Sequence, residues 1–403
     1  VTDHAVPSPR SVGLAVYLPS LLFGIGQGAV VPLVALSATT RGASVGMAAV
    51  AVAAMGVGKL LGDVPAGNLA ARLGERRAML IATVVAVAGL ALCLVAPDVI
   101  TLCAGLGLVG VSSAVWSLAR QAYLTEVMPY RLRGRALSLL GGMQRVGLFV
   151  GPFLAAAVTG PLGLAGGYWV HVAAALLAGG VLVVVPDRDV RKLEPGPDGH
   201  CVADTVTRSS TRILRDHLRV FATIGMGSLT ISAVRTARQV VVPLWADQIG
   251  MTPTAASVVF GLSGAMEIAT VYPGGLAMDR LGRRWVVTVS MAGLGLALSV
   301  VPLATTPVLL AALASVMGLA NGLGSGLNMT LGADVSPAVG RQVFLGAWRF
   351  CTDIGNGLGP VVIGAVSAVS ALAQASMVMG GTAVVCAAAM RRWLPRPDLP
   401  LKG

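Results

Sequence analysis

Apolar stretches of roughly 20 residues, separated by short polar segments, recur along the whole 403-residue chain. That is the length an α-helix needs to cross the hydrocarbon core of a bilayer. Twelve spans are predicted, at approximately 13–36, 44–66, 77–96, 99–125, 138–159, 168–186, 219–245, 253–276, 285–304, 307–332, 343–368 and 370–390. The weak alternating segments of about ten residues that build a membrane β-barrel are not seen. The expected fold class is an all-α membrane protein. Composition agrees: 55% of residues are hydrophobic, 11% are charged and the mean hydropathy is +0.82. A water-soluble domain carries about 25% charged residues. The first ten residues lack the basic start and small-residue cleavage site of a signal peptide, so the first span is expected to stay as an anchor.

Charge placement sets an expected orientation. With a cytoplasmic N-terminus, 22 of the 29 Lys and Arg fall in cytoplasmic segments, Arg41 falls outside and six lie within spans. This is the positive-inside asymmetry, and it accounts for a net charge of +12 without a nucleic-acid partner. Binding of anionic headgroups by these loops is a secondary reading. The five cysteines (Cys93, Cys103, Cys201, Cys351 and Cys386) show no metal spacing and read as small apolar packing residues.

The chain is also written twice. With an offset of 208, Pro65, Gly67, Arg72, Leu73, Gly74 and Arg76 match Pro273, Gly275, Arg280, Leu281, Gly282 and Arg284. The same offset relates Pro129 to Pro337, Arg133 to Arg341, and Gly147, Gly151 and Pro152 to Gly355, Gly359 and Pro360. Pro32 and Pro243 correspond after a three-residue difference in the first external loop. Such an internal repeat organises the fold. It predicts an N-terminal six-helix bundle over 1–186, a polar linker over 187–218, and a C-terminal six-helix bundle over 219–403 with a short tail.

These motifs resemble those of the major facilitator superfamily. Its loop signature between the second and third spans, G-x-x-x-D-R-x-G-R-R, is complete as Gly275, Asp279, Arg280, Gly282, Arg283 and Arg284. The first-half copy keeps Gly67, Arg72, Gly74 and Arg76 but has Ala71 for the acid and Glu75 at a basic position. A second signature, G-x-x-x-G-P, stands as Gly147, Gly151 and Pro152, a form associated in the family with antiporters; the usual trailing glycines are Leu154 and Ala155 here. The resemblance implies two pseudo-symmetric bundles of six helices that alternate in access.

A charge at a helix centre costs about 2.5–3.5 kcal/mol on insertion scales and so calls for a partner or a function. The spans contain Lys59, Asp63, Arg120, Arg145, Arg235, Arg238, Glu267, Arg349 and Asp353. Lys59 and Glu267 are repeat partners, as are Arg145 and Asp353. By resemblance, span 2 of one half faces span 11 of the other and span 5 faces span 8. The expected interdomain latch is then Lys59–Asp353, Glu267–Arg145 and Asp63–Arg349, with a local Lys59–Asp63 pair as the competing reading. Asp63, Glu267 and Asp353 are the candidates for proton coupling, since a bridge that opens can change a carboxyl's charge.

A pocket among spans 1, 4, 7 and 10, again by resemblance, would offer Gln27, Trp116, Arg120, Arg235, Arg238, Gln239, Asn321 and Asn328. Arg235, Arg238 and Gln239 share neighbouring helical faces and suggest an anionic substrate group. Equally, the arginines bridge to an acid or a carbonyl of another span. The expected cytoplasmic gate comprises Gly67, Arg72, Arg76, Glu126, Gly275, Asp279, Arg283 and Asp334, with Asp334 paired to Arg283. Gly105–Gly110 fits a dinucleotide fingerprint but lies inside a span, and the glycine run of span 10 suits close helix approach.

No nucleophile–base set, metal cluster or nucleotide loop is present, so no enzymatic activity, cofactor or metal is expected. The reading is a monomeric transporter of the inner membrane, both termini cytoplasmic, exporting a drug-like or metabolite molecule in exchange for protons. The alternatives are an uptake symporter for an organic anion and a sensor that kept the fold.

Overall fold

A computed structural model describes residues 16–127, 130–184, 215–337 and 341–394. These form thirteen helices of nine residues or more. They are α1 (Leu18–Thr39), α2 (Val45–Leu73), α3 (Glu75–Val95), α4 (Val99–Val127), α5 (Tyr130–Leu162) and α6 (Ala165–Val184), followed by α7 (Met226–Gln248), α8 (Pro253–Arg280), α9 (Arg283–Val300), α10 (Pro307–Leu323), α11 (Leu327–Val335), α12 (Arg341–Val369) and α13 (Leu372–Trp393). A π-helical turn, Phe221–Gly225, leads into α7. The side chains of Gly67, Ala71 and Glu126 lie outside what is described.

Among the described residues, eleven spans are both long and apolar enough to cross a membrane. The predicted eleventh span, α12, has the length but intersperses Arg349, Asp353 and Asn356 among its apolar positions. The predicted tenth span, 307–332, is not one helix. It stops at Leu323 and restarts at Leu327, because Gly326 takes a left-handed conformation (φ 81°) that a side chain would resist. The glycines before the break do allow close approach, since a Cβ on Gly318 or Gly322 would run into the Ser263 or Glu267 carbonyl of α8.

The helices sort into two compact units. The first holds α1–α6 with residues 251–261 at the start of α8; the second holds α7, the rest of α8, and α9–α13. In the first, α4 packs against α2 and α3, while α1 packs against α5 and α6. In the second, α7 packs against α12 and α13, and α9 against α10 and α13.

The offset of 208 reappears as physical contacts. Ser44 accepts from the Met47 N–H at the start of α2, and its counterpart Thr252 accepts from the Ala255 N–H at the start of α8. Each satisfies one of the orphan donors at a helix start. Asp98 and Thr306 do the same for α4 and α10, accepting from the Thr101 and Leu309 N–H groups. The Thr101 N–H holds the Asp98 carboxyl below its ordinary range. Gly74 (φ 83°) and Gly282 (φ 85°) make the tight turns out of α2 and α8. Two equivalent carbonyls are tethered as well: Arg41 Nε donates to Ala96 at 2.9 Å, and Trp245 Nε1 donates to Ala304 at 2.9 Å.

The α1–α5 contact depends on Gly147 and Gly151. A Cβ on Gly147 would lie 2.7 Å from the Ile25 nitrogen, and one on Gly151 would lie 2.6 Å from the Ala29 nitrogen. Backbone meets backbone there, so no flexible side chain can yield. Gly141 on the same helix faces open space. Gly151→Leu should therefore lose about 1–3 kcal/mol or more, in line with overpacking in a dense interior. Gly141→Ala should leave stability unchanged. Thermal melting of the two purified variants in detergent checks the contrast; equal melting would remove the packing role assigned to the motif.

Candidate functional site

In the first unit the polar residues of α1, α4 and α5 form one hydrogen-bonded chain. Arg120 Nη2 donates to Gln144 Oε1, Gln144 Nε2 donates to Gln27 Oε1 at 3.3 Å, and Gln27 Nε2 donates to Ser113 Oγ at 2.9 Å. Ser113 returns its proton to the Val109 carbonyl at 2.8 Å. Arg120 is only 5% exposed, and among the described residues its Nε and Nη1 have no hydrogen-bond partner. Gln144 was not among the sequence candidates, although it stands out as an amide in an apolar run beside Arg145.

Trp116 behaves differently from its expected place in a pocket. It is buried in the core against Phe23, ring centroids 5.4 Å apart, and its Nε1 donates to Thr83 Oγ1 at 3.2 Å. An indole fills such a site well when its one donor is met. His171, on the other side of Phe23, is fully buried too and contacts that ring edge-on.

The second unit assembles charge of its own. Arg238 Nη1 donates to Ser263 Oγ at 2.8 Å, and Nη2 reaches Glu267 Oε2 at 2.9 Å. Ser263 and Glu267 are one turn apart on α8, so a single planar guanidinium can span both. Asn321, only 8% exposed, lies beside the Glu267 carboxylate. Glu267 thus has an arginine of its own bundle as partner. Arg235 Nη2 donates to the Gly324 carbonyl, which is left open where α10 ends. A cation at that position also complements the helix dipole. Both span-7 arginines therefore bridge to an acid or a carbonyl, one of the two readings the sequence left open. Asn328 Nδ2 donates to Ser232 Oγ at 2.9 Å, tying α11 to α7.

The remaining candidates are more dispersed. Asp353 has Arg349 one turn away at 3.8 Å and accepts from Asn356 Nδ2 at 3.3 Å. Lys59, Asp63, Arg145 and Gln239 are half-buried on α2, α5 and α7. In the loop region Arg283 Nε meets Asp334 Oδ2 at 2.8 Å, as paired from the sequence. Arg76 Nη2 donates to the Val183 carbonyl at 3.1 Å, at the end of α6. Asp279 and Arg72 are exposed, and Gly275 faces open space.

The sequence model of the Major Facilitator Superfamily matches residues 16–237 and 224–403. The chain belongs to the major facilitator superfamily. An uncharacterized MFS-type transporter of Mycobacterium tuberculosis, found in two strains, is 32% identical over 158 residues, 38% of this chain. That match spans about a quarter (23%) of the relative's length. Solved structures share the fold across nearly the whole superfamily member. A D-xylose-proton symporter has a TM-score of 0.75 at 16% identity, covering 96% of this chain and 98% of that one. A bacterial homolog of the human lysosomal transporter Spinster has a TM-score of 0.78 at 14% identity, covering 96% and 97%.

The superfamily's loop signature differs between the two halves of this member. The ion pair Arg283–Asp334 corresponds, by the 208 offset, to Glu75 and Glu126, two acids. Arg283→Asp and Asp334→Arg should each lower stability, and the double exchange should recover part of the loss. A coupling of about 0.2–1 kcal/mol is expected for a partly exposed pair. Zero coupling in a double-mutant melting cycle would show that the two groups do not act together.

Proposed function

We propose that this protein is a secondary active transporter of the plasma membrane, working by alternating access and exporting an amphipathic organic anion in exchange for protons. The excess of Lys and Arg in alternate connecting segments supports a cytoplasmic location for both termini. The observation that carries the reading is the Arg238–Glu267–Asn321 cluster. It is a carboxylate inside a membrane bundle, its side chain 26% exposed, held by an arginine that is 8% exposed. Breaking a buried bridge leaves an uncompensated charge, which costs about 3–5 kcal/mol. Protonation of Glu267 and release of Arg238 are therefore coupled, and this gives a means of linking proton movement to the bundle's state. The discontinuity between α10 and α11 lies beside the cluster, in keeping with the broken helices that line transporter sites.

Anion selectivity is assigned to the first unit. Arg238 is neutralised by Glu267, whereas Arg120 has only the amide of Gln144 for its Nη2. A substrate carboxylate, sulfonate or phosphate would supply the missing counter-charge by charge-assisted hydrogen bonds. Gln27 and Gln144 supply neutral polar contacts in the same unit. A second reading, uptake by symport, is favoured by one comparison: a structure sharing the fold is named a D-xylose-proton symporter.

The direction is tested with inside-out vesicles carrying an imposed proton gradient and a panel of amphipathic organic anions. An exporter accumulates its substrate there; a symporter accumulates it only in right-side-out vesicles; a sensor binds without flux. Glu267→Gln should lose gradient-driven accumulation at least about tenfold, the worth of ~1.4 kcal/mol in coupling, while substrate counterflow without a gradient persists. Full gradient-driven transport by Glu267→Gln would remove the coupling role. Arg120→Gln should raise the apparent KM for anionic substrates and leave neutral ones unaffected.

A further inference from the structure

The first unit contains a groove that neither the cluster nor the Gln27–Arg120 chain uses. Its floor is α4, through Val111 and Val115; its walls are Pro65 and Leu69 on α2 and Ile81 and Val85 on α3. The cavity has a volume of about 360 Å³, within the range of about 300–1,000 Å³ typical of small-ligand pockets. It exists because α2 and α3, though joined by the tight turn at Gly74, each pack chiefly on α4 rather than on each other. Pro65 lies inside α2, where it removes an N–H donor and disfavours a straight helix. The groove presents almost no polar surface. The one hydroxyl in its floor, Ser112 Oγ, is turned away to the Ala82 carbonyl at 2.6 Å.

One charged residue lines this groove, Arg72, in the last turn of α2. Seven residues separate it from Pro65, about 10 Å along a helix at 1.5 Å per residue. Arg72 is exposed and makes no ion pair among the described residues. Its repeat counterpart, Arg280, directly follows an acid, Asp279; Arg72 follows Ala71. The half that lacks the loop carboxylate has an apolar slot ending at an arginine.

We propose that this groove is a binding site for an anionic glycerophospholipid, one acyl chain lying along α4 and the phosphate on Arg72. An apolar slot within the bilayer needs an apolar filler, and a guanidinium at its end discriminates in favour of an anionic headgroup. The bound lipid supplies the negative charge that Asp279 supplies in the other half. It does not depend on the direction of transport or on Glu267.

The test is lipid retention by the full-length protein. Detergent-purified protein is equilibrated with mixed micelles of equal phosphatidylglycerol and phosphatidylcholine, repurified, and its bound lipid quantified by mass spectrometry. The wild type should retain phosphatidylglycerol in preference. Arg72→Gln should cut that preference about fivefold, the scale set by one basic residue at an anionic membrane surface, without loss of total chain occupancy. Val85→Phe, which narrows the slot from a partly exposed position, should lower retention of both lipids. Arg77→Gln, outside the groove, should change neither. Equal retention of the two lipids by the wild type would overturn the proposal. So would an Arg77→Gln effect equal to that of Arg72→Gln, because retention would then follow the loop's diffuse charge. The melting temperature of each variant confirms that it is folded.

Discussion

Inside a bilayer no water is available to receive a hydrogen bond, and this constraint shapes the structure more than any single contact. Helices answer it for the backbone. The hydroxyl side chains answer it by bonding back to their own helix, as Thr83 does to Met79, Thr230 to Met226, Ser299 to Gly295 and Thr382 to Val378. Others reach a carbonyl of the neighbouring helix: Ser263 to Ala314, Ser376 to Leu298. Those cross-helix bonds need close backbones, which explains why glycine and alanine dominate the seams. Apolar side chains alone could not specify which helix meets which, because lipid tails are as apolar as they are.

The same constraint identifies the places where something other than packing is at stake. A hydroxyl such as that of Thr83 or Thr230 can be satisfied within its own helix, but a guanidinium cannot. Arg238 needs Ser263 and Glu267 together, and Arg235 needs the carbonyl freed by the break after Leu323. Arg120 is met in part. These residues cost the bundle stability, and a bundle built only to be stable would replace them with leucine. Their retention is what makes the proposed coupling and anion-binding roles physically economical: a substrate anion would complete the solvation of Arg120, and a proton on Glu267 would release Arg238.

Much of this was legible in the sequence. Span lengths, the two halves and the Arg283–Asp334 pair follow from hydropathy and from one repeat offset, since both depend on local pattern. The partner of Glu267 was not legible. A residue on α8 can face several helices, and only packing shows that Arg238 of α7 reaches it. Trp116 was misplaced for a related reason: its indole looks like a ligand platform in a list of polar residues, yet its donor is met by Thr83 inside the core. The break after Leu323 was read as small residues for close approach, because a glycine run supports either reading. Gln144 was overlooked because its neighbour Arg145 carries the charge. The repeat offers a remedy: applied residue by residue, its offsets align Gln27 with Arg238 and Ser113 with Asn321.

That alignment shows how two copies of one framework came to differ. The α3–α4 contact is closed by Ser112 donating to the Ala82 carbonyl; the α9–α10 contact is closed by Ser290, the counterpart of Ala82, donating to Ala320, the counterpart of Ser112. The bond is the same with its ends exchanged. Bulk is exchanged too: Gly24 and Trp116 in the first half stand where Arg235 and Gly324 stand in the second. Trp116 fills its space with an apolar ring, while Arg235 fills the equivalent space from the opposite helix with a charge. Gln27–Ser113 is a neutral bond, and its image is Arg238 and Asn321 converging on a carboxylate. Backbone positions have thus held while the chemistry between them diverged, with neutral amides beside Arg120 in one half and an acid, Glu267, beside Arg238 in the other. The proposed roles follow that division: titration belongs to the second half and recognition of the anion to the first.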